Sequence, residues 1–389
     1  MQAGIRCFIV DNAPTHQQPL ANAWASRLTG VGNILGYIFG YINLPRALPF
    51  LGKTRFQILC AIASIALTVT LAISCYYIQE RDPRLDGPPA STDQGGIVAF
   101  AKQVVKSIRH LPPQIAKVCE VQLAAWMGWF PFLFYATTYI GQLYVNPIFE
   151  AEPNMSDGDI DDAWEKATRI GTFALLIYAV ISFVANITLP VFVVPDNKQQ
   201  HAASDEDEED EEEEDIPQRQ SQVWTLLSRL QIPGFTLRRA WLLSHVLFAG
   251  CMFSTFFVSS YQAGSVAIGL VGITWAVALW APFALISAEV SRIDAECRDS
   301  ADQDSEGGGG GGGEVPGGRE NLAQAGIVLG LHNVAISAPQ IISSLICSAI
   351  FKAAQKPRGE PWDDSVGWVL RFGGCAAIGA AWLTSRLAE

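Results

Sequence analysis

Several polar side chains lie inside long apolar runs of the sequence, where polar groups are candidates for ligand binding. Asn33, Asn333 and Gln340 carry amides, which both donate and accept hydrogen bonds and so suit a ligand with hydroxyl groups. Arg6 carries a guanidinium, whose fork binds hydroxyls or a carboxylate. If such a run crosses a membrane, an Arg within it costs about 2.5–3.5 kcal/mol unless it faces a cavity or a partner. These four residues are candidates for substrate binding or coupling.

Each of these residues also has a purely structural interpretation. Amides inside helices commonly form hydrogen bonds between helices, and Arg6 stands only five residues after the first residue of the chain. His332, adjacent to Asn333, carries an imidazole, a group able to bind a proton, but helix packing is the better interpretation of it. The sequence leaves these alternatives open.

Trp129 and Phe130 present flat apolar faces that stack on the rings of a ligand or fill a helical core. The sequence permits both roles.

Small residues and prolines mark candidate positions for helix packing and gating. Glycine at every fourth position allows close helix approach, and proline inside a helix frees a carbonyl and introduces a kink. These residues are Gly32, Gly36, Gly40, Pro131, Pro282 and Pro339.

These side chains must be positioned by membrane helices. Only 16% of the 389 residues are charged, against about 25% in a typical soluble domain. A spanning helix needs about 20 mostly apolar residues, and eight runs qualify. They cover residues 25–44, 57–78, 120–146, 168–194, 239–260, 264–288, 323–351 and 366–386.

The polar segments between these runs predict loops. Residues 79–119 form a long central loop. Residues 195–222 contain eleven consecutive acids, which account for most of the net charge of -12. Residues 292–321 contain seven consecutive glycines. The last two segments are predicted to be disordered.

Lys and Arg predict the orientation of the helices, because loops on the cytoplasmic side carry more of them. Assigning alternate loops to opposite sides gives 16 on the side of residues 79–119 and 8 on the other. We therefore expect residues 79–119 to be cytoplasmic.

The motifs of common enzymes are missing from the sequence. There is no phosphate-binding glycine loop in the right context, no HExxH and no nucleophile elbow. The eight cysteines form no CxxC pair, so they do not predict a metal site. We expect no enzymatic activity, no cofactor, no metal and no nucleic-acid partner.

Four stretches, in order along the chain, resemble the fungal form of the sucrose transporters, in the glycoside–pentoside–hexuronide branch of the major facilitator superfamily. A shorter one, WAPFAL at 280–285, adds to them. The four are Arg6 with VDNAP at 10–14, residues 21–23 with GNILGY at 32–37, WMGWFPFL at 126–133 and GLHNVAISAPQ at 330–340.

The resemblance implies a partial major facilitator fold, all-α and with about eight transmembrane helices. Residues 1–78 then hold a remnant of helix four with helices five and six, 79–119 the central loop, and 120–389 the C-terminal six helices. The plant members carry charged residues where this chain has Thr138 and Gln142. Their proton-accepting Asp would precede Met1.

The function implied is secondary active transport of sucrose or a related α-glucoside, coupled to protons by alternating access. The expected partners are the disaccharide, protons and the lipid bilayer of the plasma or vacuolar membrane. Two alternatives remain. One is an N-terminally truncated member that does not transport, and the other is a membrane sugar sensor or scaffold.

Overall fold

The structure, a computed structural model, describes residues 18–77, 111–194, 230–306 and 317–387. These residues form helices and no strand. The helices are α1 (Gln18–Tyr41), α2 (Leu44–Ala47), α3 (Arg55–Tyr77), α4 (Pro113–Ala151), α5 (Asp157–Phe192), α6 (Leu237–Ser254), α7 (Tyr261–Glu306), α8 (Gly317–Ala354) and α9 (Ser365–Thr384).

The predicted all-α membrane fold is confirmed. Each of the eight apolar runs coincides with a long helix, and the short α2 lies between the first two. Five stretches in the described part of the chain are long and apolar enough to cross a membrane by length and composition alone. They lie in α3, α5, α7, α8 and α9.

Several helices extend beyond the apolar runs that predicted them. Helix α5 begins at Asp157 because Ser156 caps it, its hydroxyl accepting a hydrogen bond from the backbone N–H of Asp159. Helix α7 continues to Glu306 and α8 begins at Gly317. The prediction that all of residues 292–321 are disordered is therefore wrong for the helical parts. Residues 292–306 contain neither Gly nor Pro to end the helix.

Other predictions fall outside the described residues. They concern Arg6, the helix-four remnant that contains it, nearly all of the 79–119 loop and the acidic segment 195–222.

The chain divides into two units, residues 1–34 with 111–389 and residues 35–110. The second unit contains the end of α1, together with α2 and α3. A capping box starts α3: the Gln57 amide oxygen accepts hydrogen bonds from the backbone N–H groups of Lys53 and Thr54, while the Thr54 hydroxyl accepts one from the N–H of Gln57.

In the first unit, α4 packs against α5, α7, α8 and α9, and is thus the central helix of a six-helix group, α4–α9. Glycines let the backbones approach closely. A Cβ added at Gly128 of α4 would lie 2.6 Å from the carbonyl oxygen of Gly373 in α9. One added at Gly171 of α5 would lie 2.5 Å from the carbonyl oxygen of Thr137 in α4.

The crossing of α5 and α7 is equally tight. A Cβ added at Gly272 would lie 2.5 Å from the carbonyl oxygen of Tyr178 and 3.0 Å from the backbone nitrogen of Ser182. We therefore expect Gly272→Ala to force α5 and α7 apart and to lower the free energy of unfolding by about 1–3 kcal/mol. Thermal unfolding of the purified protein in detergent measures the change.

Gly250→Ala is the matched control, because a Cβ at Gly250 in α6 meets no described atom within 4 Å. Equal melting temperatures for the two variants would contradict the close approach at Gly272.

Candidate functional site

A large cavity lies within the first unit, among α4, α5, the end of α8 and the loop that joins α8 to α9. Its volume is about 890 Å³, within the range of about 300–1,000 Å³ typical of small-molecule sites.

One face of α4 forms the longest wall of this cavity. Tyr135, Thr138, Gln142, Asn146 and Phe149 all line it, and their spacing of three or four residues places them on the same side of the helix. The wall therefore presents two hydroxyls, two amides and aromatic rings.

Aromatic residues from other helices complete the lining. Trp164 of α5 and Phe351 of α8 both border the cavity, and Phe351 stands edge-on to Tyr135 with 5.0 Å between ring centroids. Phe149 belongs to a buried apolar cluster that includes Val145 and Ile160, which holds α4 against α5. The rings thus have fixed positions.

The α8–α9 loop, residues 355–364, lies over the cavity and is fastened to α4 and α5. The Asn146 amide oxygen accepts a hydrogen bond from the backbone N–H of Trp362 at 3.0 Å, and the Arg358 guanidinium is paired with the Asp161 carboxylate. Trp362 has a φ of 60°, which is unfavourable for a large side chain. The loop therefore keeps this conformation because its neighbours hold it.

Gln142 differs from Asn146, one turn away. Its side chain is 7% exposed and lines the cavity, yet its amide has no hydrogen-bond partner among the described residues.

A second polar cluster surrounds Arg371 in α9, which is 5% exposed. Its guanidinium binds both carboxylate oxygens of Asp364, and it donates to the Thr255 hydroxyl at 3.1 Å and the Thr255 carbonyl at 2.9 Å. The rings of Phe256 and Trp368 lie 4.0 and 5.0 Å from its central carbon. This arrangement joins α9 to the segment after α6 and does not resemble an open binding site.

The residues proposed from sequence as sugar ligands lie elsewhere. Arg6 is outside the described residues. Asn33 borders a separate small cleft of about 10 Å³, together with Ser182 and Asn186. Asn333 is half-buried in α8, and the Gln340 amide donates to the carbonyl of Ile336 in its own helix at 3.1 Å. None of these described residues lines the large cavity.

The two aromatic candidates face different surroundings. Trp129 is 4% exposed and packs against Phe248 and Trp275, with ring centroids 4.5 and 4.9 Å away. Phe130 packs against Phe134, which is exposed. The structure therefore places both in packing contacts, away from the large cavity.

His332 is buried, and its Nε2 lies 3.2 Å from the Gln122 amide nitrogen. This contact between α8 and α4 agrees with a helix-packing histidine.

The proline and glycine candidates for helix packing and gating have different surroundings. Pro131, Pro282 and Pro339 lie inside α4, α7 and α8. Around Gly32 and Gly36 no described atom lies within 4 Å of an added Cβ, and Gly40 continues the same helix. The close approach in α1 is at Gly30, where an added Cβ would lie 2.8 Å from the Phe183 ring.

Two features of the sequence indicate the polar residues that were not among the predicted candidates. Arg371 is the only charged residue in α9, and an ionisable group in a membrane helix is a candidate by default. Gln142 and Asn146 continue a polar face from Thr138 at helical spacing.

An all-α membrane bundle with a polar and aromatic cavity is the architecture of a small-molecule transporter. Comparisons with known proteins identify the group. The chain is 34% identical to the general alpha-glucoside permease of Schizosaccharomyces pombe over 427 aligned positions, which cover 100% of this chain and 70% of the permease. No protein-family model matches.

Two further relatives match over smaller shares. A sucrose transport protein of Oryza sativa is 30% identical over 48% of this chain and 38% of its own length. An MFS-type transporter of Talaromyces islandicus is 25% identical over 64% of this chain and 78% of its own length. The chain therefore belongs to the α-glucoside and sucrose transporter family of the major facilitator superfamily, and it is not an enzyme.

The contact between Asn146 and Trp362 yields a prediction. Asn146→Leu removes the acceptor, and we expect amide exchange at Trp362 to accelerate roughly ten- to hundredfold, since an unpaired N–H and backbone strain both favour opening of the loop. Hydrogen exchange followed by mass spectrometry of residues 355–364 measures this.

Asn146→Asp, which keeps an oxygen in place, is the control and should exchange slowly. Equal exchange in the Leu variant and the wild type would show that the bond does not hold the loop.

Proposed function

We propose that this protein carries sucrose or a related α-glucoside across a membrane together with protons, by alternating access, and that the 890 Å³ cavity binds the sugar. The single observation that carries the proposal is the lining of this cavity by amides, hydroxyls and aromatic rings in a chain similar to an α-glucoside permease.

The lining suits a sugar because a pyranose ring has both polar edges and apolar faces. Aromatic rings such as those of Trp164 and Tyr135 pack against the faces. Amides and hydroxyls such as those of Gln142 and Thr138 match the edges, since each of them donates and accepts.

The charges around the cavity favour a neutral ligand. Three basic residues, Lys352, Lys356 and Arg358, stand against two acidic ones, Glu360 and Asp363. Arg358 is already paired with Asp161 outside this set, and the Lys356 ammonium donates to the carbonyl of Pro361 at 3.1 Å. A uniform field that would select an anion or a cation is therefore not formed.

Proton coupling rests on the family resemblance and on Arg6 as a coupling candidate. With the orientation predicted from Lys and Arg, the loop 355–364 beside the cavity lies on the non-cytoplasmic side, from which a sugar taken up by the cell would enter. We place the protein in the plasma membrane, with the vacuolar membrane as the alternative that microscopy of a fluorescent fusion distinguishes.

Transport is tested in yeast cells that lack their own α-glucoside uptake. On expression of this chain, we expect accumulation of radiolabelled sucrose or maltose that rises as the external medium is acidified and is abolished by a protonophore. Uptake that ignores the protonophore would overturn proton coupling, and no uptake of either sugar would overturn transport.

The cavity itself is tested by filling it. Ser348 lines the cavity from α8, so Ser348→Trp should occupy the sugar's space and reduce uptake about tenfold or more, equivalent to about 1.4 kcal/mol of lost binding. Uptake at several sugar concentrations, corrected for the amount of protein at the membrane, measures this.

Leu345→Trp is the control, because Leu345 lies in the same helix, is 68% exposed and does not line the cavity. Equal uptake by the two variants would remove the cavity from the transport route.

A further inference from the structure

Helix α4 carries two buried glutamines in contrasting surroundings. Gln122 is 4% exposed, and its amide nitrogen lies 3.2 Å from Nε2 of His332 in α8. Gln142 is 7% exposed, lines the 890 Å³ cavity and has no hydrogen-bond partner among the described residues. Its amide therefore faces the cavity with its donors and its acceptor available to a group that enters there.

We propose that Gln142 is the specificity-determining residue of this cavity, binding one hydroxyl of the glycoside through its amide. The proposal rests on the proposed function, because it assumes that a sugar occupies the cavity. A hydroxyl both donates and accepts, and the Gln142 amide offers a complementary acceptor and donor. Neither partner carries a charge, so the contact selects for hydroxyl position.

The neighbouring polar groups are less suited to this role. The Asn146 oxygen is already bound to the Trp362 N–H at 3.0 Å, and the Lys356 ammonium donates to the carbonyl of Pro361. Thr138, Gln355 and Lys352 are exposed, so water competes for them. Gln142 is a buried polar group of the lining whose hydrogen-bonding capacity remains available to a ligand.

Adjacent side chains define how the sugar would lie. Thr138 is one turn before Gln142 on the same face, and Tyr135 is one turn further. A ring packed against Tyr135, itself held by Phe351 at 5.0 Å, directs a ring-edge hydroxyl along α4 toward Gln142. The Gln142 amide then binds one hydroxyl, while the remaining hydroxyls stay near water.

This arrangement has a consequence for selectivity. A site that forms a hydrogen bond through a buried group discriminates strongly against an analogue lacking the bonded hydroxyl, because the protein group is left unpaired. For one uncharged hydrogen bond we expect a roughly ten- to hundredfold weaker affinity for one particular deoxy sugar. The other deoxy positions should have smaller effects.

The experiment measures binding of sucrose, maltose and their monodeoxy derivatives to the purified full chain. Gln142→Met keeps the length of the side chain and removes the amide, and Gln142→Asn keeps the amide but shortens its reach. We expect Gln142→Met to raise the Kd of the parent sugar at least tenfold and to erase the discrimination against one deoxy derivative. Its melting temperature without sugar should be unchanged or higher, because no hydrogen bond to the described residues is lost.

Gln122→Met is the matched control on the same helix. It removes a partner of the buried His332, so the melting temperature should fall, while the Kd of the sugar should stay within twofold of the wild-type value. The comparison separates loss of a ligand contact from loss of a packing contact.

The outcomes are distinguishable. If the wild type binds sugar and Gln142→Met binds equally well with the same pattern of discrimination, the inference is wrong and the proposed function stands. If the wild type binds none of these sugars, the proposed function and the inference are both overturned. Should Gln142→Met fail to fold, Gln142→Asn provides the same test. Its shorter side chain should also raise the Kd of the parent sugar.

Discussion

The close approach of helix backbones at glycines is the constraint on which the six-helix group depends. In lipid, burying apolar side chains gives no gain over exposure to the bilayer, so helices associate through close van der Waals packing and internal hydrogen bonds. Gly128, Gly171 and Gly272 each leave no room for a Cβ against a neighbouring backbone carbonyl. They bring α4 to α9, α5 to α4 and α7 to α5.

The cavity wall is a continuation of this packed helix. The side of α4 that carries Thr138, Gln142 and Asn146 borders the space between α5 and the end of α8. Inside the bundle, the Gln122 amide lies beside Nε2 of His332, whereas the Gln142 amide faces the cavity, where a ligand can reach it.

Much of this fold was predictable from the sequence, because a membrane helix requires a long apolar run. All eight runs are helices, and the misjudged lengths arise where polar sequence stays helical, as after Ser156. The side-chain neighbours were not predictable to the same degree. Gly32 and Gly36 follow the packing pattern, yet no described atom lies within 4 Å of an added Cβ at either, while the close approach at Gly128 falls outside that pattern.

The binding residues illustrate the same limit. Asn33, Asn333 and Gln340 are polar residues in apolar helices just as Gln142 is, and only the fold decides which of them meets a cavity. Trp129 resembles a stacking residue but fills a gap between Phe248 and Trp275. Composition identifies candidates, whereas the direction in which a helix faces selects among them.

The guanidinium of Arg371 has a bearing on how the protein is made. Its hydrogen-bond and ring partners among the described residues are Thr255, Phe256, Asp364 and Trp368, which all precede it in the chain. By the time α9 leaves the ribosome, each of these groups has already emerged, and Asp364 precedes Arg371 by only seven residues. A charge that would hinder insertion of an isolated helix therefore meets its counter-ion within its own segment.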